Sequence, residues 1–111
     1  MKRGEIWTAS GGPDYASKPR PVLIIQADPF DSTRSITVCP LTTSALEAPF
    51  VRLPIEPSAD NGLRAPSRLM IDKVTTLPRT KLAARIGHLS PRQMSDVNRA
   101  LLVFLGLVGS G

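Results

Sequence analysis

The sequence predicts a mainly β protein: a small, strongly bent sheet or barrel of about six short strands, with one C-terminal α-helix packed against it. Short runs of β-forming residues recur at close spacing along the 111 residues. The 11 prolines and 8 glycines are turn and strand-boundary residues, which argues against a helical protein. A long helical periodicity follows the strand-like runs, near the C-terminus. The length suits a single domain, residues 1–111, with one core.

Six stretches are interpreted as strands: residues 5–9, 21–26, 35–41, 50–53, 68–72 and 83–89. The continuous apolar run of the second predicts burial on both faces. Pro40 predicts an edge position or a bulge in the third, because proline has no N–H to donate. Residues 73–77 are candidates to extend the fifth strand, and residues 78–82 are a candidate helical turn. Residues 10–18 are expected to form an exposed loop.

The helix begins with a clear capping signal. Ser90 suits the N-cap, Pro91 the first helical position, and Gln93 completes a capping box. Apolar residues then recur at helical spacing, namely Met94, Val97, Leu101, Phe104 and Val108. The last turns are apolar nearly all round, so we expect them to pack on more than one surface, with a second subunit as one candidate.

Composition narrows the class of protein. The net charge of +5 favours an anionic partner, most often nucleic acid. The longest apolar run, residues 100–108, is too short to span a bilayer, and no secretory signal is expected at the start of the chain. The single cysteine, Cys39, fits a reducing cytoplasm and is expected to be buried filler in a strand.

Many enzyme signatures are absent from the sequence. It has neither a phosphate-binding glycine loop nor paired cysteines at metal-binding spacing. Its one histidine, His88, lies in a predicted strand and is expected to be structural or exposed. An enzyme here would use Arg, Thr, Asp, Glu or Tyr side chains, and we expect neither a metal nor a cofactor.

Arg20 is the first candidate for such chemistry. Pro19 and Pro21 hold it extended at the start of the second strand. Thr42 ends the third strand, so antiparallel pairing would bring both residues to one end of the sheet. A guanidinium and a hydroxyl together suit a phosphate. From the residues alone, a solvated Arg20 and ordinary turn chemistry for Thr42 and Thr43 remain open.

Residues 1–7 (MKRGEIW), 18–25 (KPRPVLII), 38–42 (VCPLT) and the helix opening at Ser90 resemble the MazF/PemK-type toxins of bacterial toxin–antitoxin pairs. The resemblance implies an SH3-like barrel, a homodimer, and metal-free cleavage of single-stranded RNA at short sequences in the cytoplasm. It also implies inhibition by a cognate antitoxin. The 2′-OH of the substrate would attack the adjacent phosphate and leave a 2′,3′-cyclic phosphate.

The same resemblance implies roles for individual residues. The catalytic Arg of the family falls on Arg20 and its catalytic Thr on Thr42, with Thr43 as a one-residue ambiguity. Some relatives have a Glu in the first loop as a general base. The nearest carboxylate here is Asp14, which serves equally well as a turn residue, so both interpretations stay open.

Substrate contacts are expected beyond the scissile phosphate. Tyr15 and Phe30 are the candidate stacking residues, and Asp72 and Lys73 resemble a family position that touches bases. Phosphate contacts are available from several basic residues: Lys18, Arg34, Arg52, Arg64, Arg68, Lys73 and Arg79.

Two other functions remain open. One is a non-catalytic toxin of the same fold that inhibits DNA gyrase, as CcdB-type toxins do, although residues 106–111 lack the aromatic contacts those toxins use. The other is a plain nucleic-acid-binding β-barrel, for which we expect salt-sensitive binding without turnover.

Overall fold

The computed structural model describes residues 1–10, 19–45 and 51–109. Within these ranges the chain forms seven strands followed by an α-helix, which confirms the mainly β class. The strands are β1 Glu5–Ala9, β2 Arg20–Ile24, β3 Ser35–Thr42, β4 Arg52–Ile55, β5 Ser67–Met70, β6 Thr75–Pro78 and β7 Leu82–His88, and the helix is α1 Pro91–Phe104. Three one-turn 3₁₀ helices lie between strands: Asp28–Phe30, Ile71–Lys73 and Arg79–Lys81.

The strands form one antiparallel sheet in the order β4-β5-β3-β2-β1-β7, with β6 as a further neighbour of β3. The first half of β3 pairs with β6, and its last two residues pair with β5. The prediction that Pro40 marks an edge strand is therefore wrong, because β3 is the central strand. Pro40 lies between the two paired stretches, so its missing N–H falls where β3 passes from one neighbour to the next.

The segment after β5 differs from the prediction. β5 ends at Met70, and the chain then turns through the 3₁₀ helix Ile71–Lys73, in which Ile71 is fully buried. Residues 73–77 therefore do not extend β5; Thr75–Pro78 is a separate strand that pairs with β3. The candidate helical turn at 78–82 is confirmed as the 3₁₀ helix Arg79–Lys81.

The sheet is buried on both faces around β2, as its apolar run predicts. Leu23 belongs to one hydrophobic cluster, while Val22 and Ile24 belong to a second. Because successive strand residues point to opposite faces, the two clusters lie on the two sides of the bent sheet. Helix α1 covers the first cluster through Val97, which is fully buried.

The capping box of α1 is present as predicted. The Ser90 hydroxyl accepts a hydrogen bond from the Gln93 N–H at 3.1 Å, and the Gln93 side chain accepts one from the Ser90 N–H at 2.9 Å. The helix buries Val97 and leaves its end uncovered, since Phe104 is 47% exposed. Among the described residues, no helix is long and apolar enough to cross a lipid bilayer.

Candidate functional site

Arg20 lies at one end of the sheet, where β1 ends and β2 begins. It begins β2 and pairs with Ala9, the last residue of β1. Its side chain is exposed, whereas Val22, two residues further along the same face, is buried. Arg20 is therefore at the open end of the sheet, directly beyond the second hydrophobic cluster.

Thr42 lies beside Arg20 on the neighbouring strand. β2 and β3 pair with Val22 opposite Pro40 and Leu23 opposite Cys39. The paired residues end at Val22 and Pro40, and the same register continued by two residues aligns Arg20 with Thr42, the last residue of β3. Directly opposed residues of an antiparallel pair share one face, with β carbons about 5 Å apart. The structure thus brings together the two residues that the sequence predicts to act on a phosphate.

The Thr42 hydroxyl is oriented by its own chain. Its oxygen accepts a hydrogen bond from the Ser44 N–H at 3.1 Å. This contact is the strand-end turn chemistry expected of a threonine here. A hydroxyl has one proton and two lone pairs, so accepting from Ser44 leaves the proton for an anionic oxygen. Turn chemistry and a role as donor are therefore compatible at Thr42.

A cleft of about 200 Å³ opens on the face that Arg20 occupies. Val22, Pro40 and Met70 line its wall, and they belong to three neighbouring strands. Polar and charged groups also line it, namely Ser10, Arg20, Thr75 and Lys81. The cleft therefore combines an apolar wall with cationic and hydroxyl groups, a combination typical of ligand sites.

Thr43 lies on the other side of the sheet. It lines a second cleft of about 470 Å³ together with Pro19, Pro21 and Arg64. The alternation of side chains along a strand explains the separation, because Pro19 and Pro21 flank Arg20 and point away from its face. The alternation thus puts Thr42 on the face of Arg20 and Thr43 on the opposite face.

Phe30, a predicted stacking residue, lies at the opposite end of the β2–β3 hairpin. It closes the 3₁₀ helix Asp28–Phe30 in the connection between these strands, and its side chain is 61% exposed. Arg20 and Thr42 lie at the free ends of the same two strands. The structure therefore does not bring Phe30 to the Arg20 cleft within one chain.

Asp72 has a structural partner that the sequence did not reveal. Its carboxylate accepts two hydrogen bonds from Arg52, at 2.9 Å from Nε and 3.2 Å from Nη2. This contact holds the pKa of the Asp72 carboxyl below its ordinary value. Because Arg52 is only 7% exposed, its buried guanidinium needs the negative charge of Asp72 beside it. Lys73, the next residue, is exposed at the end of its 3₁₀ helix.

Three predicted site residues lie outside the part of the chain that the structure describes, and His88 and Cys39 lie within it. Asp14, Tyr15 and Lys18 lie outside the described residues. His88 is exposed at the end of β7, as expected. Cys39 is fully buried, and burial, with a smaller effect of the Asp72 charge, raises the pKa of its thiol to about 12. It is therefore the buried filler that the strand pattern predicts.

Within residues 1–10, 19–45 and 51–109, no group of three or more His, Cys, Asp and Glu side chains could hold a metal ion. The donor set that the described site does offer is guanidinium and hydroxyl.

Comparison with known proteins identifies the family of this chain. Residues 2–105 match the family described as PemK-like, MazF-like toxin of type II toxin–antitoxin systems. The chain belongs to this family. One family member from Mycolicibacterium smegmatis, named probable endoribonuclease MazF, is 55% identical over 98% of this chain and 100% of its own length. Another from Mycobacterium tuberculosis, named endoribonuclease MazF6, is 32% identical over 96% of this chain and 98% of its own length.

Solved structures of the family share the fold. Mycobacterium tuberculosis toxin MazF-mt6 superposes with a TM-score of 0.79 at 29% identity, covering 95% of this chain and 99% of that one. A mycobacterial endoribonuclease in complex with its cognate antitoxin superposes with a TM-score of 0.80 at 25% identity, covering 98% of both chains. The seven-stranded antiparallel sheet with a C-terminal helix is thus a MazF-type fold, as the sequence predicts.

Proposed function

We propose that this toxin is a metal-independent endoribonuclease that cleaves single-stranded RNA by attack of a substrate 2′-OH on the adjacent phosphate. The observation that supports this most directly is that Arg20, the first residue of β2, and Thr42, the last residue of β3, lie at the same end of two paired antiparallel strands. The relatives named endoribonuclease in Mycolicibacterium smegmatis and Mycobacterium tuberculosis favour RNA cleavage over inhibition of gyrase.

In the proposed reaction, Arg20 and Thr42 donate hydrogen bonds to oxygen atoms of the phosphate. The 2′ oxygen forms a bond to phosphorus, and the pentacovalent intermediate gains negative charge on its non-bridging oxygens. Arg20 donates hydrogen bonds to these oxygens and stabilises that charge, and the Thr42 hydroxyl donates a hydrogen bond to one of them. The bond from phosphorus to the 5′ oxygen then breaks. Arg20 donates a proton to the leaving oxygen and regains one from water, to which the general base returns the proton of the 2′-OH. The products are a 2′,3′-cyclic phosphate and a 5′-hydroxyl end.

A general base must accept the 2′-OH proton. Asp14 is the candidate, because it is the last carboxylate before Arg20 in the chain. Ala9 and Arg20 pair in the sheet, one on each side of residues 10–19. They lie at the end of the sheet that holds Thr42. Tyr15 and Lys18, in the same loop, remain the proposed contacts to a base and a phosphate.

The proposed assembly is a homodimer that a cognate antitoxin inhibits. Uncovered apolar side chains gather at the end of α1 and just beyond it, where Leu105 and Leu107 are 57% and 68% exposed. Burying such a patch against a second copy removes it from water. A related mycobacterial endoribonuclease is known in complex with its antitoxin, which supports an antitoxin partner here. Because the substrate is cellular RNA, the proposed site of action is the cytoplasm.

The test is RNA cleavage by the purified protein in excess chelator. We expect cleavage to persist without added metal and to fall by about 100-fold or more in Arg20→Met, which keeps the length of the side chain and removes its charge. Arg92→Met, on the exposed start of α1, is the matched control and is expected to cleave normally. Binding of RNA without any turnover by the wild-type protein would instead support a plain nucleic-acid-binding barrel.

A further inference from the structure

A third residue, Arg68, lies beside Thr42 on the next strand of the sheet. β3 pairs on its other side with β5, and in that register Thr42 is the partner of Arg68. Arg20 begins β2 and Thr42 ends β3, each two residues beyond the pair Val22 and Pro40, so Arg20, Thr42 and Arg68 lie at one end of three neighbouring strands. The strand that carries Thr42, β3, lies between β2 and β5.

Arg68 is on the face of the Arg20 cleft. Its chain neighbours Ser67 and Leu69 are buried, and Leu69 belongs to the first hydrophobic cluster, on the other face. Met70, two residues further along, lines the cleft together with Arg20. Because residues two apart in a strand share a face, Arg68 points to the side of the cleft, one row beyond Met70. Its side chain is half-buried.

Arg52 in β4 and Arg79 just after β6 are two other arginines near this part of the sheet, and both make structural contacts. Arg52 is buried in its bidentate pair with Asp72. Arg79 donates to the backbone carbonyl oxygens of Thr33 and Asp31, which fixes the β2–β3 connection to the end of β6. Neither residue is directly opposed to Thr42, whereas Arg68 is.

The spacing suits a polyanion. Neighbouring strands are about 4.8 Å apart, so the backbones of Arg20 and Arg68 are about 10 Å apart across β3. Both side chains are long enough to turn toward Thr42 or away from it. A single phosphate between them or two successive phosphates of one strand are both within reach. RNA supplies a phosphate at every nucleotide, and arginine suits phosphate because its fork donates two parallel hydrogen bonds.

We infer that Arg68 is a second phosphate-binding residue of this site, and that it holds a backbone phosphate next to the scissile one held by Arg20 and Thr42. The inference rests on the proposed function and deepens it. Arg68 fixes the register of the RNA strand over the hydroxyl of Thr42, and its contact is made equally in the ground state and the transition state. Its loss therefore weakens binding and leaves the chemical step nearly unchanged.

The experiment measures the affinity of a short RNA with a 2′-deoxy nucleotide at the cleavage position, which binds without reacting. Kd is measured at several salt concentrations for wild type, Arg68→Gln and the control Arg92→Gln. We expect Arg68→Gln to raise Kd about tenfold and to reduce the slope of log Kd against log salt by about 0.7, the value for one phosphate contact on a single strand. Arg92→Gln removes the same charge from α1 and is expected to keep the wild-type slope. On a cleavable RNA, Arg68→Gln should raise KM with kcat within about threefold of wild type.

A second measurement identifies the phosphate. RNAs with one neutral methylphosphonate, placed in turn at each phosphate beside the scissile one, are bound to wild type and to Arg68→Gln. We expect one of these substitutions to weaken binding to wild type and to have no further effect in the variant, because both remove the same contact.

An unchanged salt slope in folded Arg68→Gln overturns the inference. So does a wild-type protein whose binding is insensitive to every methylphosphonate beside the scissile position, a result that needs no variant to fold. Both outcomes leave the proposed function intact if wild type still cleaves RNA in chelator. A protein that binds RNA and never cleaves it contradicts the proposed function instead.

Discussion

Thr42→Val tests whether one hydroxyl at the end of β3 acts on the reaction. Valine has nearly the same shape and removes only the hydroxyl group. The structural cost is small, because the lost contact is a single hydrogen bond from the Ser44 N–H, and Ser44 is exposed to water that can replace it. We expect the free energy of unfolding to fall by about 0.5 kcal/mol, the lower end of the range for one hydrogen bond.

The expected effect on catalysis is much larger. Removing one donor to the developing negative charge lowers kcat by about 100-fold or more, which corresponds to about 3 kcal/mol of transition-state stabilisation. Thr42→Ser keeps the hydroxyl and should stay within about tenfold of wild type. The assay is single-turnover cleavage of a short fluorescent RNA in chelator, with circular dichroism as the check on folding.

Thr43→Val is the matched control. It removes the same hydroxyl one residue later, on the face of the second cleft. We expect its kcat within about threefold of wild type, since its hydroxyl faces away from Arg20. If Thr42→Val cleaves as fast as wild type while Thr43→Val loses activity, the assignment of the donor from the strand register is refuted.

Three further predictions concern stability and are measured by urea denaturation. Asp72→Asn leaves Arg52 buried with a weaker partner, so the free energy of unfolding should fall by about 2 kcal/mol at pH 7; because the folded pKa of Asp72 is lowered, the wild-type advantage is complete above the unfolded pKa and should shrink below about pH 4. Ser90→Ala removes the N-cap of α1 and should cost about 1 kcal/mol, whereas Ser95→Ala, on the exposed side of the same helix, should be nearly neutral. Gly87→Ala should cost about 2 kcal/mol, because a β carbon there comes within 2.4 Å of backbone atoms in the neighbouring loop; wild-type stability in any of these variants contradicts the contact concerned.

Local signals predicted much of the fold. The capping residues of α1 are neighbours in sequence and act through bonds three residues apart, so the sequence alone locates the helix start. The apolar run of β2 likewise predicts its burial on both faces. Pro40 was misplaced because a missing N–H says nothing about how many partners a strand has. The change of partner along β3 depends on residues that are distant in sequence.

The site was predicted only in part, because it too depends on how distant strands pair. Antiparallel pairing of β2 and β3 was enough to bring Arg20 and Thr42 to one end, but choosing Thr42 over Thr43 needed the register. Arg68 was one of several basic candidates until its pairing with Thr42 separated it from the rest. The sequence also does not show that Arg52, 20 residues earlier, binds Asp72, for which a substrate contact stays a prediction.

The central claim is that this toxin cleaves RNA through the substrate 2′-OH with donors supplied by its own side chains. The most direct measurement is the chemistry of the cut ends, determined by mass spectrometry after cleavage in excess chelator. The account predicts a 2′,3′-cyclic phosphate and a 5′-hydroxyl, and no cleavage where the 2′-OH at that nucleotide is replaced by hydrogen. A 5′-phosphate with a 3′-hydroxyl, or cleavage of the 2′-deoxy substrate at the same position, would contradict it.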